Sequence, residues 1–234
     1  MQKLFILLGL CLLFSCGDKT SDSLIVKGNI KGLKKGTVYL KKAKDTTIVT
    51  IDSMVINGNS NFELQSKIDT PEIFYLYLDK YNNEDNRITF FADKGTTEIN
   101  TSLKRFNYDA KIKGSKQQKI LEEYISVASK FNNKSLELIK ENYDAIKAND
   151  TALINSTEKT YKNLEKRKYL YTVNFAINNR DSEVAPYLAL SELYNANIKY
   201  LNMINDTLTP TIKTSHYGKE LQGFINKIKE EENL

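Results

Sequence analysis

The sequence predicts an α+β chain: an antiparallel β-rich part of sandwich or barrel type, then a helical region of about four helices. Two observations carry this. Short runs of alternating apolar residues, punctuated by Gly and Asn, continue from Leu24 to Gly114. At Ser115 the apolar spacing changes from a period of two to one of about 3.6. A hydrophobic content of 41% suits a packed core in a chain of 234 residues, which has length for one large or two small domains.

The strands come first. "LIVKGNIKGLKKGTVYLKK" gives a strand, a turn over Gly32 to Gly36 and a second strand in which Val38 and Leu40 alternate with Thr37 and Tyr39. "IVTIDSMVINGNSNFELQSKI" is expected to form a hairpin from Ile48 to Ile56 and back over Phe62 to Ile68, because Asn57-Gly58 tolerates the positive φ of a tight turn. "EIFYLYL", "RITFFA", "TTEINTSL" and "DAKIKG" supply four further strands. In "IFYLYL" the alternation puts Phe74, Leu76 and Leu78 on one face and Tyr75 and Tyr77 on the other. Those tyrosines suit either a glycan or peptide platform or a face covered by the helical half, and packing is the favoured expectation.

The helices follow. Leu121, Tyr124, Ile125 and Ala128 share a face, and Ser115 with Gln118 has the form of a capping box. A second helix is expected from near Thr151 through Tyr161, Leu164, Val173 and Phe175. A third opens at "DSEVAPYL", with Ser182 as N-cap and Pro186 near the first turn, and a fourth begins near Ser215.

The N-terminus carries a different signal. Leu4 to Phe14 is apolar after Lys3, too short for the roughly 20 apolar residues of a membrane span, and has the layout of a secretory signal. Leu13-Phe14-Ser15-Cys16 resembles the bacterial lipobox. The resemblance implies cleavage between Ser15 and Cys16 and acylation of Cys16, with 1–15 as signal peptide, 16–23 as a lipidated tether, 24–114 as the β-rich domain and 115–234 as the helical region. Acyl chains contribute about 0.8 kcal/mol per buried methylene, so more than one makes a stable anchor. Cys11 would leave with the signal, so no free thiol and no disulfide is expected in the mature chain. The expected location is the cell envelope, on the periplasmic face of the outer membrane, since Gly17 follows the cysteine and no acidic run resembling a surface-export signal is present. Export makes nucleic acid an unsuitable partner for the formal net charge of +5, and mixed Lys and Glu suit a solvated surface.

Taken in order, "GNIKGLKKGTVYL", "IDSMVINGNSNFELQSKIDTPEIFYL", "FFADKGTTEINTSL" and "KIKGSKQQ" resemble the N-terminal domain of unknown function of Bacteroidetes lipoproteins. That domain commonly precedes a thioredoxin-like domain of the peroxiredoxin or thiol-disulfide oxidoreductase kind. "DSEVAPYLAL" and "IKTSHYGKELQGFI" are similar to the connector that leads into the thioredoxin fold. The sequence has no Cys-x-x-Cys, and Leu234 falls about where that domain would begin, so the redox activity of the longer relatives is not expected here.

Candidate chemistry is sparse. His216 is the lone histidine, and adjacent Ser215 cannot face it on a helix, so a surface or capping role is expected. "DKYNNEDN" lacks the glycine and terminal Glu of a calcium loop, and Gly28, Gly32 and Gly36 are followed by no helix that would make a phosphate loop. No catalytic, cofactor-binding or metal residues are expected. Five Asp-Ser/Thr pairs, Asp22-Ser23, Asp45-Thr46, Asp52-Ser53, Asp150-Thr151 and Asp206-Thr207, resemble a short O-glycosylation sequon and also suit turns and caps. The expected function is a non-enzymatic, lipid-anchored binding or scaffolding module for a protein or glycan; the alternative is a docking accessory of a thioredoxin-like thiol-redox or peroxide-defence protein.

Overall fold

The computed structural model describes residues 23–44, 46–79 and 87–231. Ser15, Cys16, the signal segment and most of "DKYNNEDN" lie outside these residues. Among the described residues eight strands precede six helices: β1 (Ser23–Lys31), β2 (Lys35–Lys44), β3 (Thr47–Asn57), β4 (Asn61–Lys67), β5 (Glu72–Leu78), β6 (Ile88–Ala92), β7 (Gly95–Ser102), β8 (Lys111–Lys113), α1 (Lys116–Ala148), α2 (Thr151–Asn178), α3 (Val184–Glu192), α4 (Ile198–Thr207), α5 (Pro210–Lys213) and α6 (His216–Glu231). The fold is α+β, as the switch in period predicts.

The strands form two four-stranded sheets, ordered β4-β1-β7-β8 and β3-β2-β5-β6. Their facing side chains, among them Val26, Ile30, Val38, Leu40, Leu64, Phe74, Leu76, Phe90 and Ile99, make one buried cluster, with Phe74 and Phe90 stacked at 6.2 Å. The sheets are not wholly antiparallel. β1 runs parallel to β7, pairing Leu24 with Gly95 through Lys31 with Ser102, while the other ladders are antiparallel.

The expected β3–β4 hairpin does not form. β3 pairs with β2 and β4 with β1, so the Asn57-Gly58 turn crosses from one sheet to the other. Gly58 has φ 93°, and its N–H donates to Lys34 O at 2.7 Å, tying the crossing to the β1–β2 turn below it. Asp52 bridges the two edges, its Oδ2 accepting from Gln65 N at 2.8 Å. The alternation of β4, with Phe62, Leu64 and Ser66 buried, is satisfied by the sandwich interior, whereas β3 lies at an edge and buries only Ile56 there.

Ser115 does cap α1, accepting from Gln118 N at 3.0 Å, but the box is not closed by Gln118. Its Oε1 accepts from Phe91 N at 2.8 Å, on the outer edge of β6, and its Nε2 donates to Glu122. Asp93 completes the cap, its Oδ2 accepting from Ser115 Oγ, Lys116 N and Gln117 N. Ser182 Oγ accepts from Val184 N as α3 begins, although Glu183 already has helical dihedrals. The helices exceed the expected four because α4 and α5 are short. Ten and four residues give too few turns for a period to register, and Asn197 and Pro210 mark their starts instead. Two of the Asp-Ser/Thr pairs serve as end chemistry: Asp150 Oδ1 caps α2 through Leu153 N, and Thr207 Oγ1 donates to Ile204 O at the end of α4.

Gly28 is the closest approach in the sandwich. It pairs with Ile99 across β1 and β7, and a Cβ there would run into the Ile99 carbonyl. Gly28→Ala must push the parallel pair apart, and the expected cost is about 3 kcal/mol or more, read as a lower midpoint in urea unfolding; an unchanged midpoint would contradict this packing.

Candidate functional site

The second sheet is buried on both faces at its centre. Ile73 and Phe91 point away from the sandwich interior and join Leu121, Tyr124 and Ala128 of α1 with Val184 and Leu188 of α3. Phe91 lies edge-on to Tyr187 at 5.6 Å and to Tyr217 at 5.8 Å, and those two tyrosines are 5.4 Å apart. Tyr217 Oη accepts from Ile73 N at 3.0 Å, so a side chain of α6 takes up a backbone donor of β5. Burial raises the phenol pKa of Tyr187 and of Tyr217 above the usual range. Both remain neutral hydrogen-bonding groups.

Beside this layer the helices leave β3 and the end of β2 uncovered, and a cleft of about 1090 Å³ opens between the sheet and α6. Its floor is Ile73, Tyr75, Tyr187 and Tyr217, with Val49 and Ile51 on the β3 side. Its rim carries both signs of charge. Lys42 Nζ lies 2.7 Å from Glu72 Oε1, and His216 Nε2 lies 3.4 Å from Glu220 Oε1; Lys44, Lys67 and Lys219 also line it. An apolar floor with a polar, mixed-charge rim is the usual build of a binding cleft.

Tyr75 and Tyr77 fall on the outer face, as the alternation requires. They are not a bare platform. Tyr75 packs against the layer under the helices, Tyr77 is buried, and cations cover them: Lys41 Nζ lies 4.5 Å from the Tyr77 ring and the Arg87 guanidinium 4.5 Å from that of Tyr75.

His216 and Ser215 do not act together. His216 is exposed and faces Glu220, whereas Ser215 is buried and turns inward. Ser215 Oγ is within 2.7 Å of Ile212 O and 2.8 Å of Glu183 Oε2. One hydroxyl proton cannot serve both acceptors. The conflict disappears when Glu183 is protonated and donates to Ser215, which then donates to Ile212. Burial, the largest influence on Glu183, raises its pKa in the same direction, partly offset by Ser215, His216 and the Tyr217 N–H. Sequence reasoning passed over Glu183; the one available signal was an acidic residue beside Ser182 in an otherwise apolar opening of α3.

Residues 24–121 match the model of a family described as a domain of unknown function (DUF4369). The match covers the whole sandwich and the first residues of α1, somewhat less than half of the chain. No curated protein and no solved structure matches the chain. Among the described residues no helix is long and apolar enough to cross a membrane, and no three His, Cys, Asp or Glu side chains cluster as metal ligands.

The raised pKa of Glu183 fixes the sign of a pH effect. Between the ordinary carboxylate range and its raised folded value, the folded state binds more protons than the unfolded one, so stability declines as pH rises through that window. Unfolding midpoints in urea, measured from acid to neutral pH, are expected to show that decline and to lose this component in Glu183→Gln; an identical pH slope in the variant would contradict the assignment.

Proposed function

We propose that the chain is a non-enzymatic, lipid-anchored binding module of the cell envelope, and that the cleft between the second sheet and α6 receives a segment of a protein partner. The observation that supports this best is the cleft itself, about 1090 Å³ with an apolar floor and a rim of mixed charge. A protein segment suits it better than a glycan. Stacking on sugar rings needs open aromatic faces, and here Tyr187 and Tyr217 pack edge-on against each other and Phe91, while the Tyr217 oxygen is taken by Ile73 N. Val49 and Ile51 give apolar side chains of a partner a place to bury, and the lysines and carboxylates of the rim set its charge pattern. In this reading Cys16, acylated after cleavage behind Ser15, holds the module on the periplasmic face of the outer membrane. The alternative role, docking to a thioredoxin-like protein, rests on the sequence resemblance alone.

Two experiments test the two halves of the proposal. A photo-crosslinking amino acid placed at Val49 of the full chain, in its native envelope, is expected to capture a defined polypeptide, whereas the same group at Glu98, outside the cleft, captures none. Equal labelling from both sites, or none from Val49, removes the cleft from consideration. Cys16→Ala is expected to abolish incorporation of labelled fatty acid and to leave the precursor uncleaved; normal processing and membrane retention of that variant would end the lipoprotein reading.

A further inference from the structure

The first part of α1 and the last part of α2 pack into the apolar clusters of the molecule, but the second half of α1 and the first half of α2 do not. The apolar clusters that tie the two helices to other elements take in α1 as far as Ala128 and α2 from Tyr169 onward. Between these points the helices form a two-stranded arm, held by one row of α1: Ser135 donates to Glu165, Leu138 and Ala145 are buried, and Asn142 donates to Thr157. The row next to it, one residue further on, is Leu136, Ile139, Tyr143 and Ile146. Its side chains are 65%, 52%, 57% and 54% exposed. The spacing is three, four, three, the seam that helices use to pack along one another. A shallow groove of about 230 Å³ extends this apolar surface from Ile139 to Tyr161 of α2.

One residue further again comes a row of charges, Glu137, Lys140, Asp144 and Lys147, all exposed. Reversed, this row reads as its own electrostatic complement. If a second α1 lies antiparallel with Leu136 opposite Ile146 and Ile139 opposite Tyr143, then Glu137 falls beside Lys147 of the copy and Lys140 beside its Asp144. A two-fold axis perpendicular to the plane of the two helices places these flanks on the same side, so four pairs of opposite sign form along one edge of the seam. The other edge is occupied by each copy's own α2. A parallel two-fold pairing instead sends the charged rows of the two copies to opposite edges of the seam, so that none of these pairs forms. Within one chain, Glu137 has only exposed Lys134 at 2.8 Å, a contact of small worth, and Lys147 lies 4.4 Å from the Tyr143 ring.

From this apolar row and the self-complementary charges beside it, we propose that the arm is a homodimerisation surface, in which α1 of two copies pack antiparallel about the Ile139–Tyr143 level. The interface is isologous, as a two-fold dimer requires. It is independent of the cleft and of the anchor.

The test uses the full chain in intact cells. Lys140→Cys places a thiol near its symmetry mate, and a short bismaleimide is expected to give a covalent dimer, above the level seen in the unsubstituted chain or in Glu230→Cys on α6. Adding Ile139→Glu is expected to lower that dimer by about tenfold or more, since each copy would then bury one carboxylate against the apolar seam. No excess of dimer from Lys140→Cys, or a dimer that survives Ile139→Glu, overturns the proposal. Register and orientation are tested with two differently tagged chains. Glu137→Lys with Asp144→Lys makes the row wholly positive, and Lys140→Glu with Lys147→Glu makes it wholly negative. Each variant is expected to fail to co-purify with itself and to recover when the two are expressed together, which also excludes misfolding as the cause. Mixed pairs no stronger than self-pairs overturn the antiparallel arrangement.

Discussion

Burial of β5 and β6 on both faces is the constraint from which the rest of the architecture follows. In "EIFYLYL" and "ITFFA" nearly every position is apolar, so one face can be satisfied by the sandwich and the other still needs a cover. α1 and α3 supply it with Leu121, Tyr124, Val184 and Leu188. Without the helices, Ile73 and Phe91 would lie in water, at a cost of about 1.5–3 kcal/mol for each side chain of this size. The sandwich is therefore not an independent unit to which helices were added; its second sheet is completed by them.

Polar contacts fix how that cover sits. Backbone donors on strands are met by helical side chains at two places, Phe91 N by Gln118 and Ile73 N by Tyr217. The first lies near the start of α1 and the second near the start of α6, so both ends of the helical half are registered against the sheet. Leaving either N–H unpaired in a buried setting would cost about 1–3 kcal/mol. Asp93 strengthens the first point by closing the N-terminus of α1 with an anion, where the helix dipole favours negative charge. Ser215 and Glu183 do the corresponding work at the second, one holding Gly218 N and the other the Tyr217 N–H.

What could be read from the sequence was local, and what could not was the pairing between distant segments. Val38 and Leu40 inside, and Phe74, Leu76 and Leu78 opposite Tyr75 and Tyr77, follow from period two alone. The start of α1 at Ser115 and of α2 after Asp150 follow from capping residues. The parallel pairing of β1 with β7 joins segments about seventy residues apart, and alternation is the same for either strand direction. Asn57-Gly58 supports a tight reversal, but a turn within one sheet and a crossing between two sheets need the same positive φ. For the cleft, Tyr75 was legible from the alternation of β5, yet Tyr187 and Tyr217 come from α3 and α6 and meet only after both helices have docked on β5 and β6. Glu183 was invisible for a related reason: its environment is made by Ser215, thirty-two positions later.

The same principle separates covered surface from surface left for others. Where apolar residues of the second sheet face the helical half, they are buried to a few per cent or less, as with Phe91 and Ile73. Helix α1 then continues for twenty residues past Ala128, its last buried residue in that layer, and α2 returns alongside it. A two-helix arm needs one row of contacts, here Ser135, Leu138, Asn142 and Ala145, and α1 carries a second row that is apolar throughout. The first is consumed by α2. The second gains nothing from the fold, and helix propensity does not ask for Leu, Ile, Tyr and Ile in place of charged residues at exposed positions. Its flanking charges alternate in sign with the same spacing, so the row is complementary to its own reverse, a match that a parallel copy does not form. Here the sequence pattern exceeds what a single chain uses, and the excess is complementary to its own two-fold copy.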